Sequence, residues 1–365
     1  MSKKESTKDA ESGTADRIYR RMIASAAFYS GAIPRYRQLA IEEGAPPWRI
    51  LRYQRVVDPE TVPYPIPLSS YVRPETFEKQ LRYLAKECRV VSLESLCKSI
   101  EAKETIADNT VALTFDGGYL DQFTIAAPLL QRYNLSATFF SPTAYIGTRN
   151  YFWQDKIMVG MMVFKNLDLT IPAFTFLDEQ FYAEMREAAP KGEITPKSVA
   201  LLINALMRAT PTNRMSALLL IGEMLNNVAD LPQEICFMDW GQLRDLERRG
   251  HQLGSIGHGY GLLKELSEED LQADLRSSAE CFAREQLSPL PIYAFPEGLF
   301  TQVAIDTLAA HGFKHQVAIG PVPKYIPEPD KPQILGRVAI YQDVAYCPEV
   351  FACRMWELQL SGIAF

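Results

Sequence analysis

The apolar run from Val111 to Phe115 is followed directly by Asp116 and two glycines. A short β-branched run that ends in this way is typical of a buried strand in a parallel sheet. Functional side chains of α/β proteins gather at the carboxyl edge of such a sheet. The pattern therefore predicts a chemical role for Asp116, and capping of a helix that begins near Asp121 is the structural alternative.

Strand and helix patterns alternate on both sides of this run. Stretches with apolar residues at helical spacing separate the predicted strands Trp48 to Val57, Arg89 to Ser92, Val111 to Phe115, Ala137 to Ser141, Gln252 to Ile256, Ile292 to Phe295 and Gln316 to Ile319. Repeated strand-helix order indicates a mostly parallel sheet or an α/β barrel. The segment from about 164 to 234 breaks this order and shows helical periodicity in its second half, which predicts a helical insertion.

The length of 365 residues and the 47% hydrophobic content fit one barrel-sized domain with an insertion. We predict a disordered polar leader at 1–16 and a basic amphipathic helix at 17–45. The barrel is predicted at 46–345, with its helical insertion at about 164–234, and a C-terminal extension at 346–365.

Charge is unevenly distributed along the chain. The net charge is −6, yet residues 1–55 carry 11 Lys and Arg against 6 Asp and Glu. An acidic body lacks the basic face that phosphate contacts require, so we expect no nucleic-acid partner. The six cysteines form no C-x-x-C pair, which favours a reducing compartment.

The basic N-terminal region contains an apolar stretch, Met22 to Ile33, that is flanked by arginines. Its twelve residues are fewer than the roughly 20 needed to span a bilayer, and the acidic leader does not fit a signal peptide. The stretch could lie on an anionic membrane surface, and packing against its own domain is the alternative. We therefore expect a cytoplasmic protein, peripheral at the inner membrane face if this helix binds lipid.

The run that ends at Asp116 lies in the first of five short motifs along the chain. They are Thr-Phe-Asp-Gly-Gly-Tyr-x-Asp at 114–121, Phe-Phe at 139–140, Phe-Trp-Gln-Asp at 152–155, Gly-His-Gln-Leu-Gly-Ser at 250–255 and Phe-Pro-Glu-Gly at 295–298. In order and spacing, from about Trp48 to Gln342, the series resembles the polysaccharide deacetylases of carbohydrate esterase family 4. The resemblance implies a distorted (β/α) barrel that removes acetyl groups from N-acetylated sugars with a divalent metal.

The family's metal site is incomplete in this sequence. One carboxylate of such a site acts as general base, while a second carboxylate and two histidines hold the metal. The resemblance puts the base on Asp116, the metal-binding carboxylate on Gly117, and the two histidines on Ile256 and Tyr260. All three metal ligands are thus absent, and we expect no metal or other cofactor unless the site has been rebuilt for a zinc-like ion.

Two further residues are candidates for chemistry. His258 is the only histidine in the stretch between Ile256 and Tyr260, the two positions of the family's histidines. A loop histidine with a local hydrogen bond is the structural alternative. Glu297 stands where the family has a tyrosine whose backbone N–H faces the oxyanion, and a carboxylate there would oppose negative charge. If the chain is an active enzyme, we therefore expect Asp116, His258 and Glu297 to be catalytic.

Aromatic residues in the motif loops are candidates for binding sugar. The predicted substrate-binding residues are Tyr119, Trp153, Tyr260, Phe295 and Pro296. Aromatic rings can stack on sugar rings, and we expect Tyr119 and Tyr260 to face the cleft, whereas core packing is the default for Trp153.

Three functional hypotheses follow. The first is a pseudoenzyme of exopolysaccharide biosynthesis that binds an N-acetylated oligo- or polysaccharide, alone or with polysaccharide-synthesis proteins. The second is an active de-N-acetylase or hydrolase with a rebuilt site. The third is a scaffold held on a membrane surface by the basic N-terminal helix. The first is favoured, because a metal with fewer than three protein ligands would be weakly held.

Overall fold

The computed structural model describes residues 3–167, 174–189, 192–225, 237–320, 332–360 and 362–365. The strands in chain order are β1 (Trp48–Tyr53), β2 (Arg55–Val56), β3 (Tyr71–Val72), β4 (Arg89–Val90), β5 (Thr110–Asp116), β6 (Thr138–Phe140), β7 (Gln252–Ser255), β8 (Leu290–Ala294), β9 (His315–Ile319), β10 (Gln333–Ala339), β11 (Gln359–Leu360) and β12 (Ile363–Ala364).

Among the described residues, seven parallel strands close into a barrel. The ring runs β1, β10, β9, β8, β7, β6, β5, and β5 pairs again with β1. The closing pair aligns Trp48 with Thr110 at one end and Tyr53 with Phe115 at the other. Strand β4 extends the sheet outside the ring beside β5. The predicted distorted (β/α) barrel is confirmed.

Helices alternate with these strands and cover the barrel. They are α1 (Lys3–Tyr29), α2 (Ala32–Glu42), α3 (Pro74–Glu87), α4 (Leu93–Glu101), α5 (Ala127–Arg132), α6 (Trp153–Leu167), α7 (Glu179–Ala188), α8 (Pro196–Arg208), α9 (Pro211–Leu225), α10 (Trp240–Arg248), α11 (Glu268–Arg284), α12 (Gln302–Ala310) and α13 (Pro348–Met355). A π-helical turn, Gln122–Ala126, leads into α5.

Alternation along the central strands separates two layers of side chains. In β5, Leu113 and Phe115 belong to the core beneath the covering helices, where Phe115 stacks on Phe139 with ring centroids 5.0 Å apart. Because strand side chains alternate between faces, Thr114 and Asp116 point the other way. All seven residues of β5 are buried, so its polar side chains lie inside the barrel.

The predicted helical insertion contains α7, α8 and α9, and α9 packs closely against α6. A Cβ added at Gly160 of α6 would overlap the side chain of Ile221 on α9. Only glycine at this position allows so close an approach of the two helices. The insertion is thereby held against the segment that follows β6.

The N-terminal region differs from the predicted division into a disordered leader at 1–16 and a helix at 17–45. Helix α1 begins at Lys3, and α2 begins after Gly31, which has a left-handed φ of 71°. Ala24 and Ala27 are buried in one core cluster with Phe351 and Trp356, so α1 packs on the C-terminal extension. Within the described part of the chain, no helix combines the length and apolar character that a membrane span requires.

Candidate functional site

Asp116 ends β5 inside the barrel and is held by two arginines. Arg337 donates from Nη1 to Oδ1 over 2.6 Å and from Nη2 to Oδ2 over 2.8 Å. Arg52 donates from Nε to Oδ2 over 3.0 Å. All three side chains are fully buried. Both carboxylate oxygens of the predicted general base are therefore bound by guanidinium groups.

The two arginines also fix the charge of Asp116. Burial alone would raise the pKa of this carboxyl, but the charges and hydrogen bonds of Arg337 and Arg52 outweigh burial and hold the pKa below its ordinary value. A general base works best with a pKa near the working pH and with an oxygen free to accept a proton. In this arrangement Asp116 instead neutralises buried positive charge.

The residues at the family's metal positions do not fit a divalent ion. Gly117 has no donor atom, and a Cβ there would lie 2.9 Å from the ring of Tyr119, so a longer side chain would require movement. Ile256 is buried and apolar. Tyr260 stacks on Phe152 with centroids 4.3 Å apart. Within the described ranges, no three His, Cys, Asp or Glu side chains are grouped so that they could hold a metal.

Two residues with left-handed backbone meet at the barrel mouth. Tyr260 has a φ of 54° and Glu297 a φ of 52°. The hydroxyl of Tyr260 donates to Oε1 of Glu297 over 3.2 Å, and Nε2 of Gln154 donates to the same oxygen over 3.2 Å. Left-handed conformations of such residues cost free energy and concentrate at functional sites. The pair is a candidate ligand-binding feature.

A second carboxyl group, Asp155, lies near the start of α6 and is fully buried. It accepts a hydrogen bond from the hydroxyl of Tyr119, which is 3.1 Å from Oδ1 and 3.2 Å from Oδ2. Burial raises the pKa of Asp155 to about 7, although nearby Arg55 acts in the opposite direction. Arg55 is itself paired with Asp121 over 2.8 Å. Sequence patterns give Asp155 no role beyond membership of the motif at 152–155.

A pocket of about 250 Å³, here called the mouth pocket, opens at the carboxyl edge of the barrel. Its walls combine residues that follow the strands with residues of insertion helix α8. The lining residues are Gln54, Arg55, Ser69, Ser70, Tyr119, Gln154, Asp155, Met158, Ile203, Asn204, Met207, Glu297 and Tyr341. The pocket thus brings together Tyr119 and Glu297 from the predicted site and adds polar groups that the sequence did not identify.

His258 is held away from this pocket by its own loop. Its Nδ1 is 2.8 Å from Oγ1 of Thr143, and its backbone N–H donates to Asp274 over 2.7 Å. The ring does not line the mouth pocket, to which Glu297 contributes. The local hydrogen bond is the structural alternative that the sequence left open for His258.

The predicted substrate-binding residues occupy different environments. Tyr119 and Tyr260 are 2% and 4% exposed, so each ring is mostly covered. Trp153 lies under the guanidinium of Arg214, which is 5.5 Å from its ring centroid.

Phe295 and Pro296, which the sequence predicts to bind substrate, are both buried, and neither lines the mouth pocket. Phe295 stacks on Phe300 with centroids 4.3 Å apart. The left-handed turn at Glu297 brings the side chain of that residue, rather than those of the two before it, to the mouth pocket.

The closed parallel barrel is a fold shared with solved deacetylases. The structure is similar to the Streptococcus pyogenes deacetylase PplD in complex with acetate, at 14% identity over 85% of this chain and 97% of that chain, with a TM-score of 0.50. It is also similar to IcaB from Ammonifex degensii, at 14% identity over 84% and 96% of the two chains, with a TM-score of 0.51. At such identities the likeness concerns the fold.

Family membership rests on the sequence itself. The sequence profile of the polysaccharide deacetylase family matches residues 103–315, which is more than half of the chain. The chain therefore belongs to the polysaccharide deacetylase family, as its motifs predict. Among functionally curated proteins, none matches the chain significantly.

We predict that Arg337→Met destabilises the fold by about 3 kcal/mol, because it leaves Oδ1 of a buried carboxylate without its partner. Arg132→Met is the matched control, since Arg132 pairs with Glu78 at the surface and its side chain is 62% exposed. We expect a loss below about 1 kcal/mol for the control. Denaturant unfolding measures both, and equal losses would contradict a special role for the buried pair.

Asp155→Asn is predicted to change how stability depends on pH. The folded-state pKa of Asp155 is raised to about 7, so the folded chain keeps a proton that the unfolded chain has already lost. Stability of the native protein therefore falls as pH rises towards 7, by about 2–3 kcal/mol between pH 5 and pH 8 relative to the variant. Unfolding free energies of both proteins at the two pH values test this; a difference that is constant with pH would refute it.

Proposed function

We propose that this protein binds an N-acetylated glycan in the mouth pocket and does not carry out the metal-dependent deacetylation of its family. The observation that carries the proposal is the binding of both Asp116 oxygens by Arg52 and Arg337. The base position is thereby occupied by an ion pair, and the three ligand positions have no side chain that suits the metal. The mouth pocket offers a place for a sugar, whereas the described residues offer no ligand set for the metal that the family's reaction uses.

The charges around the pocket favour an uncharged sugar. Arg55 is paired with Asp121, and the positive charges of Arg52 and Arg337 are offset by Asp116 and Glu297. What the pocket then offers is mostly neutral hydrogen-bonding groups, on Gln54, Ser70, Gln154, Asn204 and Tyr341. Groups of this kind match the hydroxyl and acetamide groups of an N-acetylated sugar.

The family acts on N-acetylated polysaccharides. On the basis of this membership we propose a role for the protein in exopolysaccharide biosynthesis. A protein that binds such a glycan without deacetylating it would serve there as a carrier or as a partner of synthesis proteins. The rebuilt-enzyme alternative has less support, because His258 is bound to Thr143 and does not line the pocket.

The first experiment measures metal content by elemental mass spectrometry and acetate release from N-acetylated chito-oligosaccharides with added zinc, cobalt or nickel. We expect neither stoichiometric metal nor acetate release. In parallel, calorimetry compares the binding of these oligosaccharides to the unaltered protein and to the Asn204→Ala variant. The exposed side chain of Asn204 lines the pocket. Loss of one sugar hydrogen bond should weaken binding by about fivefold to tenfold.

Asn213→Ala is the matched control, since Asn213 lies on neighbouring helix α9 and does not line the pocket. Stoichiometric metal together with acetate release would overturn the proposal in favour of a rebuilt enzyme. Equal affinities for the two asparagine variants would show that the glycan does not bind in the mouth pocket.

A second function is favoured by the outer face of α1. Ile18, Tyr19 and Met22 are more than half exposed beside Arg21, on the helix whose Ala24 and Ala27 pack inward. Apolar side chains next to basic ones suit an anionic lipid surface. We therefore propose that α1 holds the barrel on such a membrane surface.

Co-sedimentation with phosphatidylglycerol vesicles tests this membrane role. Met22→Glu should reduce binding several-fold, because it places a negative charge in the contact face. Val303→Glu is the control, since Val303 is 54% exposed on distant helix α12. Equal binding of both variants, or equal binding to neutral phosphatidylcholine vesicles, would argue against the proposal.

A further inference from the structure

A larger cavity of about 620 Å³ adjoins the mouth pocket. It lies between α6, α9 and the loop at 259–265, and is here called the side groove. The residues from α9 include Met215, Leu218, Leu219 and Gly222, and those from α6 include Trp153 and Val159. The groove is therefore formed in large part by the helical insertion.

Exposed aliphatic side chains of α9 form part of the groove lining, next to the charged residues Lys156 and Glu223. Met215 is 57% exposed and Leu219 is 61% exposed, at neighbouring turns of α9. Large apolar side chains that are left exposed next to each other mark a binding surface for an apolar group. Water in the groove leaves this apolar area exposed to solvent, whereas an apolar ligand would bury it.

Two contacts cover aromatic faces in the groove. The guanidinium of Arg214 lies over Trp153, and Arg214 is also paired with Glu265. The ring of Tyr260 covers Phe152 at 15° between planes. Sugar stacking requires an open aromatic face. The covered faces of Trp153 and Phe152 are closed to a sugar, which favours contact between an aliphatic chain and the exposed aliphatic side chains of α9.

Two contacts connect the groove with the mouth pocket. Gln154 lines both cavities. Tyr260 lines the groove, and its hydroxyl donates to Glu297 of the pocket over 3.2 Å. A single ligand could thus have a polar head in one cavity and an apolar tail in the other.

We infer that the ligand is a glycolipid, with an N-acetylated sugar in the mouth pocket and its aliphatic chain in the side groove. This inference rests on the proposed sugar binding. Burial of each methylene in an apolar site contributes about 0.8 kcal/mol, which corresponds to at most about fourfold in affinity. Affinity should consequently rise with chain length until the groove is filled.

The test uses methyl, butyl, hexyl and octyl glycosides of N-acetylglucosamine, below their micellar concentrations, with binding measured by calorimetry. We expect affinity to rise by about twofold to fourfold per methylene. Gly222→Leu should abolish this rise and leave the methyl glycoside unaffected. A Cβ at position 222 meets no atom within 4 Å, so the added side chain starts in open space at the wall of the groove.

A matched pair on α9 gives an independent check. Leu219 and Leu220 are both exposed, but only Leu219 lines the groove. Leu219→Ser should weaken octyl glycoside binding several-fold, and Leu220→Ser should leave it unchanged. Equal effects of the two serine variants would overturn the inference.

The outcomes separate this inference from the proposed function. If the methyl glycoside binds and chain length has no effect, the side groove does not take the aliphatic chain, while sugar binding stands. If chain-length dependence persists in Gly222→Leu, the chain binds elsewhere and the inference fails. If neither methyl nor octyl glycoside binds, sugar recognition itself is refuted and the inference falls with it.

Discussion

The ion pairs of Asp116 with Arg52 and Arg337 join the strands at which the barrel closes. Strand β1, which carries Arg52, pairs on one side with β10 and on the other with β5. Charges removed from water are stable only when each has its partner, so loss of one member leaves the others with a large desolvation cost. Closure of the barrel and the charge of the predicted base Asp116 therefore depend on the same three side chains.

The positive charge beside Asp116 comes from side chains of the protein itself. Two guanidinium groups supply positive charge beside a carboxylate, and they bind it in a fixed planar geometry. A guanidinium has no open coordination position at which a water molecule could be activated, whereas a catalytic metal has one. The charge of Asp116 is thus balanced by two arginines inside the barrel, and the positions that the resemblance assigns to metal ligands hold Gly117, Ile256 and Tyr260.

The sequence predicts the fold better than it predicts the site. The run ending at Asp116 and the alternation of elements identify a parallel barrel, and Gly117 reveals a missing ligand. Arg337 is a partner of Asp116 only because distant strands close into a ring, and no local pattern specifies that pairing. The sequence signal for a buried charge is the position of Arg337 within a largely apolar strand. The burial of Phe295 likewise depends on tertiary packing rather than on local composition.

The helical insertion contributes side chains to both cavities. Helix α8 supplies Asn204 to the mouth pocket and α9 supplies Leu219 to the side groove. The boundary between the two cavities is formed by Tyr260 and Glu297, which both have left-handed backbones and whose side chains are joined by a hydrogen bond. Such strain persists where surrounding structure over-determines it. Because the strain lies where the pocket and groove meet, it preorganises one continuous site, which lowers the ordering cost of binding a ligand with two chemically different ends.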